Sequence, residues 1–157
     1  MPPYNAESWK KLIRSLTPKV KFGRPATEAQ IVAVEQKLAV RFPDGLRELL
    51  READGVTDRY GHGPIWSLAK IEKQNQEFRT TASFRELYMP FDHLLLFGAD
   101  VDSDHFAFAI QADGHIHRND VFRWEHETDA RSWFAGNLEQ FLGTQFKREI
   151  EADDLDS

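Results

Sequence analysis

The sequence predicts an α+β domain. Helix-period apolar stripes occupy the first third of the chain. Short apolar or alternating runs follow, with a strong hairpin signal, Asp113-Gly114, between two of them. A last helical stripe closes the chain. Helices, then strands, then a helix is the segregated order of α+β architecture, not the strict alternation of a parallel α/β fold. The 157 residues, 41% hydrophobic and 29% charged, suit one compact domain with a real core.

The elements follow in chain order. Asn5 can cap a first helix in which Trp9, Leu12, Ile13 and Leu16 make one apolar stripe, and Thr17-Pro18 ends it. Residues 19–25 read as a connector broken by Gly23 and Pro25. Thr27 with Gln30 three residues on is a capping-box pattern, opening a helix that places Ile31, Val34 and Leu38 on one face. Pro43 fits the first turn of the next helix, whose stripe is Leu46, Leu49, Leu50 and Ala53. Gly55 suits the left-handed residue that closes it.

The pattern then changes. Residues 65–68, IWSL, read as a short strand, residues 69–78 as a short helix or irregular turn, and residues 80–88 as a polar connection. The uninterrupted run LLLF at 94–97 is expected of a central strand covered on both faces. Phe106, Phe108 and Ile110 alternate with Ala107 and Ala109 in the next strand. Residues 121–125 form another, with Phe122 and Trp124 on one side. A final helix starts near Thr128 or Asp129, carries Phe134, Leu138, Phe141 and Leu142, and closes at Gly143. The organisation expected is a basic helical extension over 1–24, a domain over 25–146 and a fraying acidic tail over 147–157.

Composition excludes several function classes. With no cysteine, disulfides, thiolate catalysis and Cys-based metal sites are ruled out. A net charge of −6 argues against nucleic-acid binding, which needs a basic footprint. The N-terminal stretch lacks the apolar run of a signal peptide, and no stretch approaches the roughly 20 apolar residues of a membrane span. A cytoplasmic, monomeric protein is expected. The charge is uneven: residues 1–24 hold six cations against Glu7 alone, so with −6 overall the other 133 residues hold −11.

The stretch FGADVDSDHFAFAI sets Asp100, Asp102 and Asp104 before an apolar strand. A calcium loop beginning at Asp100 needs Gly at its sixth position and Glu at its twelfth, but His105 and Gln111 stand there. Two readings remain, a solvated loop or an acidic surface that docks a partner. His115 and His117 alternate onto one strand face, but no second ligand pair has metal-like spacing, so no metal is expected. There is no nucleophile elbow, no H-E-x-x-H and no glycine-rich phosphate loop, so no catalytic residue is assigned. Trp66 and Trp124 are either core residues or interface anchors, the role in which Trp dominates hot spots. Lys10, Lys11 and Arg14 can bind an anionic partner or form the solvated face of their helix.

The succession of motifs resembles the SUKH superfamily, which includes Smi/Knr-type fungal cell-wall regulators and many bacterial immunity proteins. The residues that carry the resemblance are Glu35 in IVAVEQKL, Phe42-Pro43, Leu49-Leu50 followed by Asp54-Gly55-Val56, and Trp66. They continue with Ser103-Asp104-His105-Phe106-Ala107, Trp124 and the closing Phe141-Leu142. The similarity spans residues 25–142. It departs from the family pattern at Val56 and Ser103, where glycine is usual, and at Phe42 and Phe106, where leucine and tyrosine are commoner.

The resemblance implies an α+β domain with a mixed, largely antiparallel sheet of about four to six strands between helices, with no enzymatic activity and no cofactor. It implies a protein partner: a toxin domain, such as a nuclease or deaminase of a polymorphic toxin system, neutralised by stoichiometric binding. Asp100, Asp102, Asp104, Trp66 and Trp124 are the candidate partner-binding residues. An intracellular regulator or scaffold of the Smi/Knr type is the alternative, and an uncharacterised hydrolase a third.

Overall fold

The computed structural model describes residues 8–156, with side chains over 8–147. Twelve elements follow one another: α1 (Ser8–Leu16), β1 (Lys21–Phe22), α2 (Glu28–Leu38), α3 (Asp44–Glu52), β2 (Val56–Thr57), α4 (Leu68–Thr80), α5 (Ala82–Leu87), β3 (Leu94–Ala99), β4 (His105–Ala109), β5 (Val121–Trp124), β6 (Arg131–Ala135) and α6 (Leu138–Asp156). The fold is α+β. Strands β3-β4-β5-β6 form an antiparallel meander, and β1 pairs antiparallel with β2 in a separate ribbon. Among the described residues no helix is long and apolar enough to cross a membrane.

The N-terminal helices form where their local signals lie. Thr27 and Gln30 make the full capping box of α2. Asn5 lies outside the described residues. The donors that open α1 instead reach across the fold: the Glu52 carboxylate accepts from the backbone of Trp9 and Lys10, both at 3.1 Å. Arg14 and Lys10 stand over the Phe22 ring of β1. At the α2–α3 corner the buried Glu35 accepts from Phe42 N at 2.7 Å and from Arg47 Nε at 3.1 Å. Hydrogen bonding to Glu35 keeps the Arg47 pKa above its ordinary value despite burial.

The sheet separates two layers. Phe97, Phe106 and Phe108 face α6, with Phe106 and Phe141 ring centroids 4.7 Å apart. On the other face His105 and Trp124 meet Phe78 of α4. Ile31, Val34, Leu38, Leu46, Leu49, Leu50, Leu95, Phe97, Phe108, Leu138 and Phe141 are buried in one core, and Phe134 is partly buried and packs against it.

Several expectations need correction. The run at 65–68 is no strand: Ile65 makes one bridge to Val56, and the Ser67 side chain caps α4. The polar connection at 80–88 contains α5. Residues 131–135 form β6 rather than helix, because pairing with β5 overrides an apolar spacing that also suits a helix. The final helix begins after Gly136-Asn137, where Asn137 Oδ1 accepts from Gln140 N, and it runs through Gly143 and on to Asp156. Gly55 has φ +102° but lies beyond the extended Ala53 that ends α3. His115 and His117 lie outside any strand.

Strand β3 is covered on both faces, as its apolar run requires, but it stands at the boundary of the sheet. Its outer edge is closed by other means. Trp66 N donates to Phe97 O, and Ala99 N donates to Gly63 O. Arg79 of α4 donates to Leu94 O at 3.2 Å. A Cβ at Gly98 would lie 1.9 Å from Pro64 O, so this approach requires glycine.

Candidate functional site: the acidic loop between β3 and β4

The loop at residues 100–104 joins two buried strands and reverses the chain tightly. Asp100 N donates to Asp104 O and Ser103 N to Asp100 O. The Asp100 carboxylate closes the turn from inside, with Oδ1 accepting from Asp102 N at 2.9 Å and Asp104 N at 3.1 Å. Aspartate favours this local bonding over regular ladders. Ser103 takes φ +68°, a left-handed conformation that explains the value of glycine at this position.

The three carboxylates have different surroundings. Asp100 and Asp104 are 8% and 7% exposed, whereas Asp102 and Val101 face solvent. Burial raises the Asp100 pKa, against the backbone donors from Asp104 and Asp102 that favour its charge. Asp104 is also opposed by burial, but hydrogen bonds from His126 and Arg123 outweigh this and hold it below the usual carboxylate range. Its Oδ2 receives Arg123 Nε at 3.1 Å, and its Oδ1 receives His126 N at 3.3 Å and faces His126 Nδ1 at 3.1 Å. This ties the loop to β5 and the turn after it.

Trp66 and Trp124 are each 3% exposed. Their rings stand 5.3 Å and 5.4 Å from that of His105, which also meets Phe78 at 5.2 Å. Burial among these rings lowers the His105 pKa to about 4. Trp124 Nε1 donates to Asp129 Oδ1 at 2.7 Å. His105, at the exit of the loop into β4, therefore packs in an aromatic cluster that contains both candidate tryptophans. The tryptophan that stands at the surface is Trp133, 58% exposed on β6.

Arg123, His126 and His105 complete the site, and nothing in the sequence places Arg123 or His126 beside Asp104. Arg123 lies 19 residues from Asp104, so no local spacing pairs them. The one signal is a lone cation inside the strand VFRW, which requires an acceptor. His115 and His117 are elsewhere, and His117 Nε2 lies 2.5 Å from Asp113 Oδ2. Among the described residues no group of three or more carboxylates and imidazoles is arranged to hold a metal ion.

The Glu35–Phe42 corner and the loop before β4 both lie within a segment that matches a known family. The model of the SMI1 / KNR4 family (SUKH-1) matches residues 25–144. The chain belongs to this family. None of the curated proteins matches the chain.

Within this SUKH-1 chain, α1 and β1 precede the matched region but are joined to it, through Glu52 and through the pairing of β1 with β2. Glu35, buried in the SUKH-1 core, is structural and holds α2 to the start of α3. The acidic loop divides its labour. Asp100 and Asp104 fix the SUKH-1 loop from within, and Asp102 presents charge outward.

Proposed function

We propose that this SUKH-1 protein is a non-catalytic immunity protein that neutralises a cognate toxin domain by stoichiometric binding in the cytoplasm. Family membership carries the reading. The polar chemistry supports it: Asp100 and Asp104 are occupied by backbone, arginine and histidine donors that hold a loop. The loop is proposed as part of the docking surface, with Asp102 as its outward charge, Asp100 and Asp104 fixing it, and Trp66 and Trp124 packed on His105 at its exit. An acidic protein suits a basic nuclease, because complementary charge steers encounter.

The test is co-purification of the tagged protein from its native cell, followed by co-expression with the protein it retains. A retained toxin domain whose growth inhibition is relieved supports the reading. Retention of a cellular protein without toxicity would replace it with a regulator or scaffold of the Smi/Knr type.

A further inference from the structure

A cavity of about 400 Å³ opens between α4, α5 and the segment leading into β3. Phe78, Phe84 and Phe91 form its apolar floor, with Phe78 packed edge-to-face on Phe84 at 4.9 Å and on Phe91 at 5.1 Å. One wall is Met89, an apolar side chain 60% exposed. That wall is held in place. Met89 N donates to Asp129 Oδ2 at 2.9 Å, and Arg131 donates to Met89 O and Pro90 O at 2.6 and 2.7 Å. A preformed apolar concavity with a few fixed polar groups has the general character of a binding site.

The polar groups are mainly cationic. Arg79 and Arg85 line the cavity, with Asp92 as its acid. Arg79 donates to Leu38 O and Leu94 O, and Arg85 donates to Arg79 O. Among the described residues neither arginine forms an ion pair within 4.0 Å, and Arg79 Nε is buried without a hydrogen-bond partner. Two guanidinium charges therefore border an aromatic pocket on a protein whose net charge is −6. Arginine is suited to pairing with a partner's carboxylate, and an exposed methionine adapts to an incoming apolar side chain.

We propose that this cavity docks an aromatic or large aliphatic side chain of the partner protein, flanked in the partner's chain by a carboxylate that pairs with Arg85. The proposal rests on the reading of the chain as a protein-binding domain and assigns the chemistry of one contact. The apolar anchor displaces water from the phenylalanine floor, and the carboxylate selects the orientation.

The test uses two blocked dipeptides, acetyl-Phe-Glu-amide and acetyl-Phe-Lys-amide, titrated at low salt into the ¹⁵N-labelled full chain. Amide shifts centred on Arg85, Met89 and Phe91 are expected, with the Glu peptide bound about three- to fivefold more tightly. R85E should reverse the preference, and M89D should weaken both peptides. Both positions are exposed, and a melting curve checks that the variants fold. Equal binding of the two peptides, shifts centred elsewhere, or no shift at millimolar peptide would overturn the proposal. Equal capture of the native partner by wild type and R85E would also overturn it, while leaving the protein-binding reading intact.

Discussion

Asn75 pairs with the backbone of Leu96 as a neighbouring strand would. Its Nδ2 donates to Leu96 O at 2.8 Å, and its Oδ1 accepts from Leu96 N at 2.9 Å. One side chain of α4 thus satisfies both groups at the boundary of the sheet. Asn75 Nδ2 also donates to Ile71 O at 2.7 Å, which fixes the amide's orientation.

Asn75→Leu should therefore destabilise the fold. It leaves a buried N–H and a buried C=O of Leu96 unpaired, at a cost of about 2–4 kcal/mol. Urea denaturation measures it, and a loss below a few tenths of a kcal/mol would deny the amide this role.

Gly98→Ala should destabilise through sterics alone. The new methyl meets Pro64 O, part of the backbone that covers the same edge. A cost of about 1–3 kcal/mol is expected in thermal or chemical denaturation. An alanine variant as stable as wild type would show that the 63–66 segment can move away freely.

The histidine at the exit of the loop predicts a pH dependence. Burial lowers the His105 pKa from 6.5 to about 4, so the folded state resists a proton that the unfolded chain accepts. Its stabilisation is full above pH 6.5 and declines as pH falls toward 4, by roughly 3 kcal/mol over that window. His105→Phe should flatten this part of the stability profile relative to wild type. Parallel profiles from pH 7 to pH 4 would contradict it.

The acidic loop predicts two phenotypes from one chemical change. Asp104→Asn weakens the bonds to Arg123 and His126 and should cost about 1–3 kcal/mol of stability. Asp102→Asn should leave the melting temperature unchanged and slow association with a basic partner about two- to fivefold at low salt. That effect should fade at 1 M salt, where the Debye length contracts to about 3 Å. Stopped-flow binding and thermal melts on both variants separate these outcomes. A slowed D104N with wild-type stability would reverse the assignment.

The parts of the fold legible in the sequence are those whose signals are local. Thr27 and Gln30 announce α2, and the alternation of Phe106 and Phe108 announces β4. Strand β6 is not legible, because Phe134, Leu138, Phe141 and Leu142 are spaced as on one helix although Phe134 lies on a strand. The break is Gly136-Asn137, where Asn137 caps the true helix. The site divides the same way. The cluster at 100–104 is plain in the sequence, but what separates Asp104 from Asp102 is its bonding to Arg123 and His126, which the meander brings beside it.

The clamp of Glu52 on α1 has a consequence for the order of assembly. The sheet is a meander, so each strand pairs with its chain neighbour, and such local closures are fast. Helix α1 waits for a carboxylate 43 residues later than Trp9, and β1 waits for β2 beyond two helices. During synthesis the cationic segment therefore leaves the ribosome before the acid that anchors it. Until residue 52 follows, Lys10, Lys11 and Arg14 are carried on a chain with no native dock. In refolding of the whole chain, where every residue is present from the start, pulsed hydrogen exchange should find the α1 amides protected after those of β3 and β4.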